Sequence, residues 1–151
     1  MIEASNKLYT IKSYLKDVLE FSDKEISVIE MCLNYIHEQA PTELPLIIRK
    51  TNNLISASED LAWIRTIVNR KIVDVTKKVK QIKAPEFTML TRQGRPSSTA
   101  IEYEILHNHP EISELEEQIE ILNKLLDYFN HIEKSIDRYL WMLKESASYN
   151  K

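Results

Sequence analysis

The chain carries a single glycine, Gly94, in 151 residues, where average usage would give roughly ten. Hairpin turns, phosphate-cradling loops and strand bulges depend on glycine for backbone angles that other residues reach only at a cost. A chain this poor in glycine is expected to be all-α, with helices joined by few loops. The hydrophobic fraction of 43% and the charged fraction of 28% fit one globular domain, residues 1–151, with a core of its own.

Apolar spacing divides the chain into helices. Leu8, Ile11, Leu15, Val18 and Leu19 form a stripe that predicts a first helix from about Asn6 to Glu20. Ser22 to Glu25 reads S-D-K-E, a capping box that opens a second helix with the stripe Ile26, Ile29, Leu33 and Ile36. Pro41 closes it, and residues 1–41 read as a helical hairpin. A third helix is expected over 44–83, starting near Pro45 and lasting to Ala84-Pro85, with an irregularity around Ser56–Ser58. Its second half places Val68, Ile72, Val75, Val79 and Ile82 at 4-3-4-3 spacing, a heptad seam.

Residues 85–96, P-E-F-T-M-L-T-R-Q-G-R-P, are expected to leave the helix as an extended arm or an irregular loop. Thr99 to Glu102 reads as a second capping box, opening a short helix through about His107. The last helix is expected over 110–146. Ile112, Leu115, Ile119, Leu122, Leu126 and Phe129 keep a 3-4-3-4-3 spacing, and Ile132, Ile136, Leu140 and Leu143 continue it after a stutter. Ile121, Leu125, Tyr128, Tyr139 and Trp141 lie outside this seam. The apolar face is wider than a two-stranded coil needs, so another helix or a second copy must cover it, and the seam predicts a homo-oligomer.

Charge is distributed unevenly although the net is only −3. Met1 to Ile64 holds six Lys and Arg against ten Asp and Glu, a net of −4. Arg65 to Arg95 holds nine against two, a net of +7, and Pro96 to Lys151 holds five against eleven, a net of −6. A basic centre between acidic ends suits a polyanion or the acidic segments of neighbouring subunits. The candidate phosphate-binding residues are Arg70, Lys71, Lys77, Lys78, Lys80, Lys83, Arg92 and Arg95. Arg70, Lys77 and Lys80 share one helix face, and Lys71 and Lys78 share an adjacent one. Phe87, in the same region, either stacks on a base or anchors the segment to the core.

Other chemistry is poorly represented. No Walker loop, G-x-G-x-x-G or G-x-S-x-G motif occurs, so no enzyme is expected. His107 and His109 stand two apart at a helix break and read as a surface loop or cap, and His131 reads as solvated. No metal or other cofactor is expected from such spacing. Cys32, alone in the chain, reads as a small buried hydrophobe that can form no internal disulfide. No apolar run suits a membrane span, and Met1 to Leu8 lacks the pattern of a signal peptide, so a cytoplasmic location is expected.

A helix ending in lysines, then P-E-F-T-M, a capped helix, I-L-x-x-x-P-E-I, and a long helix carrying L-L-D-Y-F and I-D-R-Y-L-W-M-L follow in that order. This order resembles the UvsY-like recombination mediators of phages over roughly Leu44 to Leu143, and it leaves the N-terminal hairpin without a counterpart. The resemblance implies a ring-like homo-oligomer that binds single-stranded DNA without sequence preference. It also implies two protein partners, a single-strand-binding protein that is displaced and a RecA-like recombinase that is loaded. It places the DNA contacts on Lys77, Lys78 and Lys80; Arg70, Lys71, Arg92 and Arg95 follow by charge alone. The long helices equally suit a helical phage structural, adaptor or inhibitor protein acting only through protein contacts.

Overall fold

A computed structural model of the chain describes residues 12–17, 19–95 and 97–149. The regular structure among them is entirely α-helical. Residues 12–17 form α1, followed by α2 (Asp23–His37), α3 (Leu44–Arg92), α4 (Ser98–Asn108) and α5 (Glu111–Tyr149). The all-α expectation holds. Leu8, Ile11 and Val18 of the first stripe lie outside the described residues. Among those residues no helix is long and apolar enough to cross a membrane.

The chain forms two compact units. Among the described residues, one combines those up to Thr66 with those from Asp127 onward, and the other takes those of Ile67–Leu126. In the first, α2 opens as its sequence demands: the Ser22 hydroxyl accepts from the Glu25 N–H, and the Glu25 carboxylate accepts from the Ser22 N–H, both at 3.2 Å. Its stripe buries Ile26, Ile29 and Cys32, α3 buries Ile47, Leu54, Ala57, Leu61 and Ile64, and α5 buries Phe129, Ile132, Ile136, Tyr139 and Leu143. Polar contacts tie these helices together. The Tyr139 hydroxyl donates to the Glu38 carbonyl at 2.9 Å, the Cys32 thiol donates to the Ala57 carbonyl at 3.6 Å, and Arg65 pairs with Glu133. Lys50, 9% exposed, pairs with Glu38, and its ammonium lies 5.3 Å from the ring centres of both Tyr35 and Tyr139.

The second unit corrects the expectation for residues 85–96. Helix α3 does not stop at Ala84 but continues through Pro85 to Arg92, and it shows no irregularity at Ser56–Ser58. An interior proline removes one helical hydrogen bond and crowds the preceding turn, at about 3 kcal/mol. Leu90 offsets this. It is buried to 2% in a cluster with Val79, Ile101, Ile105 and Ile112, and burying a leucine contributes roughly 1.5–3 kcal/mol. Leaving the helix at Pro85 would also abandon two turns of backbone hydrogen bonds.

The helix ends instead at the chain's one glycine. Gly94 has φ +78, its N–H donates to the Thr91 carbonyl at 3.1 Å, and the Arg95 N–H reaches back to the Leu90 carbonyl at 3.4 Å. These two bonds make a Schellman cap with glycine in the left-handed position. The start of α4 is corrected too: its N-cap is Ser97, whose hydroxyl accepts from the Ala100 N–H at 3.1 Å, rather than Thr99. The helix buries Ile101 and Ile105. His109 caps the far end of α4, its N–H bonding the Ile105 carbonyl at 2.9 Å.

The predicted copy-to-copy seam is also corrected. Ile112, Leu122, Phe129, Ile132, Ile136 and Leu143 are buried, and Leu115, Ile119, Leu126 and Leu140 are half-buried. The seam is spent on the chain's own core, and its buried members offer no free surface to a second copy.

Candidate nucleic-acid interface

Residues advance about 100° around an α-helix, so the buried side of α3 fixes where its cations point. Within Ile67–Leu126, Val68, Val75, Val79 and Leu90 define the inward face. Arg70 and Lys77 stand opposite to it. Lys80 lies on one flank, and Lys71 and Lys78 lie on the other. Arg70, Lys77, Lys78, Lys80 and Arg92 are exposed, and Lys71 is half-buried. Between Arg70 and Lys83 there are six cations and one carboxylate, Asp74. The run from Arg70 to Lys80 spans roughly 15 Å along the axis, and continuing the helix to Arg92 extends it to roughly 33 Å.

The expected residues divide into two groups. Lys83 is paired with Glu116 at 2.7 Å, and Arg95 is paired with Glu104 at 2.9 Å. In the other unit Arg65 is held by Glu133. These three positive charges already have counter-ions. By contrast, Lys71, Lys77, Lys78, Lys80 and Arg92 make no ion pair with a described residue. The helix therefore carries a smaller and more exposed cationic ridge than the formal charge of the segment suggests.

Apolar side chains flank this ridge. Val73 and Phe87 are exposed on the same side as Lys80, each seven residues from it. Met89 is exposed beside a shallow hollow lined by Ala84, Pro85, Thr88, Met89, Arg92 and Gln93. Arg92 is the only charged group in that lining, with Thr88 and Gln93 as its polar neighbours. Among the described residues no group of three or more His, Cys, Asp and Glu is placed to hold a metal ion.

The histidines and the cysteine sit as the spacing predicts. His107 and His131 are exposed, and Cys32 is fully buried. His109 does more than cap a helix. Its Nε2 lies 3.2 Å from the Glu86 carboxylate and its Nδ1 3.3 Å from that of Glu111. The hydrogen bond to Glu86 is the main cause of a raised His109 pKa; Glu111 adds to it and desolvation opposes it. Nothing in local spacing signals this clasp, because Glu86 was expected outside the helix. The sequence does carry a sign of where α3 ends: glycine two residues after Arg92, followed two residues later by proline, is a helix stop. Comparison with family models, characterised proteins and solved structures finds no match to this chain.

Proposed function

We propose that the chain is a non-enzymatic, single-stranded DNA-binding recombination mediator, acting as a homo-oligomer in the cytoplasm of a phage host. In this reading it helps to load a RecA-like recombinase onto DNA covered by single-strand-binding protein. The observation that carries the reading is the ridge of exposed cations on α3, with Lys77, Lys78 and Lys80 lacking any ion pair to a described residue. Cations left without counter-ions suit a strand of phosphates read without regard to base order. The motif order shared with UvsY-like mediators supports the same reading.

The test is oligo-dT binding by the full chain as a function of salt. Each phosphate neutralised on a single strand contributes about −0.7 to the slope of log affinity against log salt. Replacing Lys77, Lys78 and Lys80 by alanine is expected to flatten that slope by about 2. Affinity independent of salt, or an unaltered slope in the triple variant, would defeat the proposal.

A second reading, a helical structural or adaptor protein, is favoured by large apolar side chains exposed in the other unit. Trp63 on α3 and Trp141 and Met142 on α5 are more than two-fifths exposed. Light scattering separates the two readings: assembly that neither needs nor responds to single-stranded DNA supports the second.

A further inference from the structure

Phe87 lies on the solvent-facing flank of α3, 39% exposed, and its ring stays outside the apolar cluster of its unit. That cluster takes Val79, Ile82 and Leu90 from the same helix. The sequence left two roles open for Phe87, anchoring a loop or stacking on a base. The first loses its basis, because residues 85–92 are helix and Leu90 supplies the anchor.

The neighbours of Phe87 give the second role a physical setting. Lys80 lies seven residues before it on the same flank, exposed and without an ion pair to a described residue. Lys77 lies one turn further back. The rise from Lys80 to Phe87 is roughly 10 Å, a span of a few nucleotides of an unpaired strand. Cations that track a backbone, with an aromatic face in line with them, form the arrangement that holds unpaired nucleic acid. A duplex buries the faces of its bases in the stack, so it offers Phe87 nothing to cover.

We infer that Phe87 is a stacking platform for one unpaired base of a single strand whose phosphates lie along Lys77 and Lys80. The inference rests on the phosphate-binding reading above and adds the means by which the site prefers a single strand to a duplex. A phenylalanine ring stacks on any base and lacks the polar handle needed to read one, so the preference carries no sequence requirement.

The experiment measures fluorescence anisotropy of the full chain with two labelled oligomers of equal length and charge, oligo-dT and an abasic sugar-phosphate strand, across a salt series. The wild-type protein is expected to bind oligo-dT about 5- to 150-fold more tightly than the abasic strand, the worth of one stacked base. Phe87→Leu, which keeps an apolar side chain on the helix, should remove most of that ratio and leave the salt slope unchanged. Phe87→Trp should keep the ratio. A wild-type ratio in Phe87→Leu, or salt-dependent binding to both strands without preference in the wild type, overturns the stacking and leaves the phosphate ridge standing. Absence of salt-dependent binding to either strand removes the ridge itself, and the stacking with it.

Discussion

Replacing Glu38 by glutamine isolates a buried positive charge. Lys50 is 9% exposed, with its ammonium between the rings of Tyr35 and Tyr139 and paired with the Glu38 carboxylate. Glutamine keeps the size of the side chain and removes the counter-ion. Taking one partner from a fully buried pair costs roughly 3–5 kcal/mol, because the other charge is stranded. Here the Glu38 side chain is 55% exposed, so water already screens half of the pair, and a loss of about 1–2 kcal/mol is expected. Lys50→Met behaves differently. It leaves a carboxylate that water can solvate and sets a thioether against the two rings. Lost cation–π attraction and gained sulfur–aromatic contact are each about 1 kcal/mol and nearly cancel. The variant should therefore stay within about 1 kcal/mol of wild type, and adding Glu38→Gln to it should change little more. Urea unfolding followed by circular dichroism gives both numbers, provided the slope with denaturant is unchanged. A Lys50→Met loss equal to or greater than that of Glu38→Gln would refute the reasoning, since it would make the ammonium a net source of stability.

Three further outcomes bear on the second unit. Leu90→Ala should cost roughly 2–4 kcal/mol by denaturant unfolding, as a buried leucine does; a loss under about 0.5 kcal/mol would mean that residues 85–92 are not docked. Pro85→Ala restores the N–H that α3 lacks at that turn and should stabilise by roughly 1–3 kcal/mol, with a lower melting temperature as the refuting result. For His109 the folded pKa is raised, chiefly by its hydrogen bond to Glu86. Its stabilisation is then complete below about pH 6.5, the ordinary value for histidine, and is lost as pH rises through the folded value. Unfolding midpoints of wild type and His109→Gln, measured across that range, should converge as pH rises; a gap independent of pH would refute this.

Periodicity made the helices legible because burial enforces it. Val68, Val75 and Val79 of the α3 seam and Ile26 and Ile29 of the α2 stripe are buried, Ile72, Ile82, Leu33 and Ile36 are half-buried, and Ser22 and Glu25 cap α2 as their identities require. The heptad pattern also begins earlier than the clean run suggests. Leu54, Ala57, Leu61, Ile64 and Val68 repeat at 3-4-3-4, with the small Ala57 concealing the continuity. The misreading at residues 85–96 has one cause. Proline is a strong local signal, and here the packing of Leu90 together with two further turns of backbone hydrogen bonds offsets it. The same limit applies to the candidate interface. Spacing along the helix placed Arg70, Lys77 and Lys80 on one face, but it could not show that Glu116 and Glu104 neutralise Lys83 and Arg95. Those pairs form between residues 33 and 9 positions apart, beyond what a helical period encodes.

The buried Cys32 gives the protein a built-in reporter. Burial, with Asp60 adding to it, raises the thiol pKa to about 11, so near neutral pH only roughly one molecule in ten thousand carries the reactive thiolate. An alkylating reagent must wait for α2 to lift away from Ala57, and the modification rate then counts opening events in that half of the chain. A cysteine introduced at the exposed position 78, in place of Lys78, is expected to react with a fluorophore ahead of the buried Cys32.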